Sequence, residues 1–211
     1  MNARWAAGVL CLVVSLAAMA GFAKPSLAFN GQRRGFVLGL GLGPAFRYMS
    51  SAYSTSESPV YFDSSISLVR ASRRSSGYGP ALATDFRIGL GFTNRILIYY
   101  DNRVSWSGTG NGLAGDGLSS AAIAYYFKDA HPSVYLTGGV GSAGWARLYY
   151  DGRSSRGYTG LGFFGGAGYE MSKRFNLEGS ISYAVPSYEY GSTRVTSTIV
   201  GFRAHMIVLW Y

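Results

Sequence analysis

In the stretch Phe36-Val-Leu-Gly-Leu-Gly-Leu-Gly-Pro-Ala-Phe-Arg-Tyr48, Phe36, Leu38, Leu40, Leu42, Phe46 and Tyr48 share one parity, while Gly39, Gly41, Gly43, Ala45 and Arg47 share the other. Successive side chains of a β-strand point to opposite faces, so this reads as a strand with one bulky apolar face and one small or polar face. A water-soluble barrel would turn the bulky face inward. Glycine and arginine could not form the oily core of such a barrel's opposite arrangement, so the bulky face is assigned to hydrocarbon and the small face to a narrow lumen.

The same alternation recurs along the chain. Leu82, Phe86, Ile88, Leu90 and Phe92 oppose Ala83, Asp85, Arg87, Gly89 and Gly91; Ile96, Ile98, Tyr100, Val104 and Trp106 oppose Leu97, Tyr99, Asp101, Arg103 and Ser105. Five further segments, Leu118 to Phe127, Val134 to Tyr149, Tyr158 to Met171, Phe175 to Val185 and Val195 to Tyr211, bring the count to eight, the smallest usual number for a membrane barrel. The predicted fold is all-β: an eight-stranded antiparallel up-and-down transmembrane β-barrel.

The connections alternate in length. Thr93-Asn94, Lys128 to Ser133 and Ser172 to Arg174 read as short periplasmic turns, and Ser50 to Tyr78, Ser107 to Gly117, Tyr150 to Gly157 and Pro186 to Arg194 as longer extracellular loops. Both termini then lie in the periplasm. Pro44, mid-strand, removes a ladder donor and predicts a bulge or the start of an exposed rim. In the last strand the even positions from Val200 to Trp210 are assigned to lipid, which leaves Tyr211 off that face.

At the other end, Met1 to Ala28 joins Arg4, an apolar stretch from Trp5 to Ala23 and the small-residue site Ser26-Leu27-Ala28, the layout of a cleaved secretory signal. Residues 29–211 are then the barrel domain. The sole cysteine, Cys11, falls in the signal, so an exported chain has neither a disulfide nor a thiolate site. The net charge of +9 comes from arginines scattered through strands and loops, not from one clustered face, and a nucleic-acid partner is not expected.

Signal, alternating strands, Gly39-x-Gly41-x-Gly43, the segment Gly166-Ala-Gly-Tyr-Glu-Met-Ser-Lys-Arg-Phe-Asn-Leu-Glu-Gly179 and the aromatic end Trp210-Tyr211 resemble the outer-membrane β-barrel superfamily, of the outer-membrane protein A, outer-membrane protein X and opacity-protein type. The resemblance implies a monomer set among outer-membrane lipid and lipopolysaccharide, with Trp210 and Tyr211 in a C-terminal strand read by the barrel-assembly machinery. It selects no single function, because the superfamily hosts adhesins, structural proteins, small channels and lipid A enzymes.

The candidate chemistry is a lumen charge network of Arg47, Asp85, Arg87, Asp101, Arg103, Glu170, Glu178 and Arg203, with Arg147 and His205 as further inward candidates. Opposite charges in so narrow a space neutralise one another, since each left alone would cost several kcal/mol. Arg70, Arg73, Arg74, Arg153 and Arg156 are candidate surface-contact residues, supported by tyrosines of the first long loop. His131-Pro132-Ser133 offers a His-x-Ser pair, but in a turn and without an acidic neighbour on the outer face. No catalytic, cofactor-binding or metal-binding residues are assigned. The expected role is structural or surface-interactive, with a narrow channel for ions or small apolar solutes as the alternative.

Overall fold

The computed structural model describes residues 32–55, 59–62, 65–68, 71–110, 112–149, 157–190 and 193–211. The expected signal segment, Arg70, Arg153 and Arg156 lie outside the described residues. The strands are β1 (Gly35–Thr55), β2 (Pro59–Phe62), β3 (Ser65–Leu68), β4 (Ala71–Gly91), β5 (Ile96–Thr109), β6 (Gly112–Tyr126), β7 (Ser133–Tyr149), β8 (Gly157–Glu170), β9 (Phe175–Tyr190) and β10 (Thr193–Trp210). Eight of them close a barrel in the order β1-β10-β9-β8-β7-β6-β5-β4, and β2 pairs with β3 in a small separate hairpin.

The register fixes the shape. Stepping through paired residues from Arg47 leads to Gly201, Ser182, Phe164, Gly139, Ala122, Tyr99 and Gly89, and returns to β1 at Val37. The circuit closes ten residues from its start, a stagger that tilts eight strands by roughly 40° to the axis. Every residue on that circuit belongs to the inward set. The lumen of such a barrel is just wide enough for side chains to fill.

The face assignment read from the alternation holds. Leu40, Leu42, Phe86, Leu161, Phe163 and Met206 are exposed on the outer surface, whereas Ala83, Asp85, Arg87, Leu97, Asp101 and Arg103 are buried inside. A sheet with its large apolar residues outside and its ions inside suits a hydrocarbon surround. Pairs of aromatics mark both rims of this belt: Tyr125 with Phe127, edge-on at 5.5 Å, near one end, and Phe46 with Tyr78, tilted at 33° and 6.1 Å apart, near the other.

Three expected loops are instead largely strand. β1 runs on to Thr55 and β4 begins at Ala71, with unbroken pairing from Tyr48↔Tyr78 to Thr55↔Ala71. β5 and β6 pair as far as Thr109↔Gly112, and β9 and β10 as far as Tyr190↔Thr193. A spanning strand needs about 9–11 residues, so the 21 residues of β1 and of β4 continue the barrel well past an apolar belt. Serine, threonine, glycine and arginine obscured this in the sequence, because above the belt both faces meet water and the apolar alternation is lost.

Pro44 makes no bulge. The pairing of β1 with β4 is continuous through Pro44↔Leu82, and the register to β10 is the same on either side of it. Only the pairs at Gly43 and Pro44 drop out of the β1–β10 ladder. The proline costs a hydrogen bond without shifting the strand. Beside it a Cβ on Gly43 would sit 1.8 Å from the Ala204 carbonyl oxygen, so the two backbones approach where only glycine fits.

Candidate functional site

The inner surface holds three tiers of polar groups. In the middle tier the Arg87 guanidinium donates to Asp85 Oδ2 and to Glu178 Oε1, both at 2.8 Å, and lies over the Tyr99 ring. Arg103 stands 2.7 Å from Asp101 Oδ2 and 2.9 Å from Glu178 Oε1, donates to Ser180 Oγ at 2.9 Å, and covers the Phe164 ring at 3.6 Å. Tyr135 donates to the other Glu178 oxygen at 2.9 Å.

The upper tier turns on Asp116. Arg47 donates to its Oδ1 at 2.8 Å and Arg203 to its Oδ2 at 3.2 Å; Arg47 donates further to Ser107, and Arg203 to Ser105 and Ser182. Arg47, Arg87, Arg103 and Arg203 thus face Asp85, Asp101, Asp116 and Glu178, four cations against four anions. The expected network includes seven of these eight. Asp116 went unread because Gly112 to Gly117 looks like a flexible loop in sequence, yet it lies in β6.

Glu170 is inward as expected but belongs to a third tier, the floor. There it meets Arg33, from the short segment preceding β1. Arg33 Nε donates to both Glu170 oxygens at 3.1 and 3.0 Å; its other nitrogens donate to the carbonyls of Asn94 and Lys128 at 2.7 Å and of Ala130 at 3.4 Å. The guanidinium also stacks 4.1 Å from the Tyr126 centroid. One side chain therefore ties two turns and the end of β8 together. Tyr211 turns inward and donates its hydroxyl to Glu170, so Glu170 is shared by residues from both ends of the described chain. Outside this floor, Arg95 from one turn and Asp129 from another form a two-bond clasp, 2.8 and 2.9 Å, which holds the Asp129 carboxyl below its ordinary value.

No protein-family model matches the chain, and no curated relative does. Among solved structures, the outer membrane protein OprG of Pseudomonas aeruginosa matches with a TM-score of 0.50 at 12% identity, over 86% of this chain and 98% of that one. Neisserial surface protein A matches at 0.40 and 15%, over 75% and 97%, and the attachment invasion locus protein Ail of Yersinia pestis, solved with the heparin analogue sucrose octasulfate, at 0.36 and 15%, over 77% and 98%.

The chain has the fold of the eight-stranded outer-membrane barrels.

Within this outer-membrane barrel fold, the other candidates separate. Asp85, Glu178 and His205 bring ligand atoms within 4.8 Å of one another. Arg87 already holds both carboxylates, so a metal ion there would have to displace a guanidinium. His131 Nδ1 lies 2.8 Å from Glu170 Oε2, but Ser133 Oγ turns to the Val134 carbonyl and accepts from the Lys128 amide, so no His-Ser relay forms. Arg74 lies on the outer face with Nε 3.4 Å from Ser50 Oγ; Arg73, its neighbour, is on the inward parity and pairs with Tyr53 in register. Trp210 pairs with Leu38 on the outer parity.

Proposed function

We propose that this protein is an outer-membrane barrel of a Gram-negative-type bacterium, with both termini periplasmic, whose lumen is closed and whose long-stranded end works at the cell surface, in envelope integrity and in contact with a surface ligand. The observation that carries this reading is the lattice of four guanidiniums and four carboxylates across the lumen, with the Arg33–Glu170 floor beneath it. Such a lattice, in a lumen that side chains fill, leaves no wide water path. At the other end β1 and β4 carry the wall past the apolar belt, which builds a stiff rim where loops alone would be mobile.

Lipopolysaccharide surrounds that rim, and Arg74 and Arg194 on its outer face are suited to its phosphates. β10, which ends at Trp210 with Tyr211 following it, is the segment assigned to the assembly machinery. The barrel acts as a monomer and has no catalytic role.

The test is conductance of the refolded barrel in a planar bilayer, with Arg203→Ala alongside. A silent barrel is expected. Reproducible openings altered by Arg203→Ala would overturn the closed lumen and favour a narrow channel. The surface role is tested in cells by deleting residues 56–70: attachment to a surface ligand should fall while the barrel still assembles, and unchanged attachment would count against it.

A further inference from the structure

We propose that the outer vestibule of the barrel, above the Arg47–Asp116 tier, is a binding site for an anionic saccharide. The proposal deepens the surface-contact reading and rests on it.

Below Arg47 the inward residues are packed out of reach of water; Asp101, Arg103 and His205 have no exposed surface. Above it the inward residues are partly open, and two walls of different chemistry face each other. One wall is polar, and the cation it carries above Arg47, whose own charge is held by Asp116, is Arg73. Arg47, Ser51 and Tyr53 on β1 stand in register with Gly79, Ser75 and Arg73 on β4, and Ser107 adjoins them on β5. A cavity of about 520 Å³ lies against this wall, floored by Arg47 and Met49 and bounded by Ser51, Ser75 and Ser107. That volume falls within the range of small-molecule sites.

The cavity exists because two ladders end at different heights. β4 pairs with β5 only as far as Leu82↔Trp106, whereas β4 stays paired with β1 for eleven residues more, to Ala71↔Thr55. The β4 backbone from Ser75 to Ala81 therefore offers ladder groups that β5 does not take, next to the hydroxyls of Ser51, Ser75 and Ser107.

The facing wall is aromatic. In the barrel order β7 lies four strands from β1, β8 four from β4 and β9 four from β5. Their inward residues at this level are Trp145, Tyr158 and Tyr188, a continuous edge-to-face run with centroids 5.0 and 5.6 Å apart. Trp145 Nε1 is buried in this run with no hydrogen-bond acceptor among the described residues.

A sugar ring has a C–H face that packs on an aromatic ring and a rim of hydroxyls. Serine hydroxyls and free backbone groups suit that rim, and Arg73 suits a sulfate or phosphate on it. An apolar ligand would strand the serine and arginine wall; a bare inorganic anion would leave the aromatic run unused. The same chemistry is found in sulfated glycans outside the cell and in the phosphorylated core of lipopolysaccharide.

The experiment is calorimetric titration of the full barrel refolded in lipid nanodiscs. The probes are a sulfated glucan oligosaccharide, a phosphorylated lipopolysaccharide-core oligosaccharide, an uncharged glucan oligosaccharide and inorganic sulfate. At least one anionic saccharide should saturate, and whichever binds more tightly identifies the source. Tyr158→Ala and Arg73→Ala should each weaken it at least tenfold, while Lys173→Ala, exposed in the short turn at the opposite end of the barrel, leaves it unchanged. Heat-modifiable mobility on gels checks folding. Should Tyr158→Ala fail to fold, Tyr158→Phe must keep binding and Arg73→Ala must lose it. Equal binding of inorganic sulfate or the uncharged glucan, full affinity in Arg73→Ala, or no saturation by any probe would overturn the proposal. If none saturates while the 56–70 deletion still abolishes attachment, the surface reading stands and only this ligand class falls.

Discussion

Arg33 and Glu170 lie 137 residues apart in sequence and meet in the barrel floor, where the guanidinium of the first donates to both carboxylate oxygens of the second. The pair is almost wholly removed from solvent. Because Arg33 also caps the carbonyls of Asn94, Lys128 and Ala130, it closes the barrel at the end where the turns are shortest. Tyr211 reaches the same carboxylate from just past the end of β10, which makes the floor the place where β1's approach and β10's exit are joined.

Removing one member of this pair leaves the other buried and uncompensated. Arg33→Leu or Glu170→Gln should each cost about 3–5 kcal/mol in urea unfolding of the refolded barrel. The double variant should cost clearly less than the sum of the two. Strict additivity would mean the two groups do not act on each other.

The apolar outer face makes its own prediction. Phe86 is exposed on β4 within the belt and pairs with Leu40 and Asn102. Phe86→Arg places a charge in hydrocarbon and should cost about 2–4 kcal/mol of folding in lipid bilayers. Tyr78→Arg, on the same strand face at the rim, should cost about 0–1 kcal/mol. Equal costs would place the belt wrongly on the strand.

The clasp between Arg95 and Asp129 is exposed, and its effect is local. The hydrogen bond from Arg95 lowers the Asp129 carboxyl. A carboxyl with a lowered folded value stabilises the clasp at pH above the ordinary carboxylate value, and that contribution is lost as pH falls through the lowered one. Titration of the Asp129 carboxyl carbon by NMR should give a midpoint below the usual carboxylate range, and Arg95→Gln should raise it. An unchanged midpoint would show the clasp absent in solution.

Period-two alternation was enough to read the barrel, the strand faces and seven of the eight lattice ions, because hydrocarbon outside and ions inside impose opposite chemistry on adjacent residues. Arg33 could not be read that way: it precedes the first alternating residue, and its partner lies on β8, so only closure of the barrel brings them together. Asp116 was hidden by glycines that looked like loop. Trp145, Tyr158 and Tyr188 carried no signal as a group, since they come from three strands and meet only through register.

Register also explains which inner glycines are irreplaceable. Gly168 on β8 pairs with Tyr135 on β7, and a Cβ at Gly168 would lie 2.2 Å from Tyr135 Cζ. That ring has little room to yield, because it is fully buried, stacked 4.7 Å from Tyr126 and bonded to Glu178. Gly165, three residues earlier on the same strand, would place its Cβ with nothing within 4 Å. Gly168→Ala should therefore cost about 1–3 kcal/mol through overpacking and shift the Tyr135 ring resonances. Gly165→Ala should be neutral or slightly stabilising, because replacing glycine with alanine in a strand also removes freedom from the unfolded chain. If both variants unfold at the same urea concentration as the parent, Tyr135 does not occupy the groove over Gly168, and its link to the Glu178 tier is lost with it.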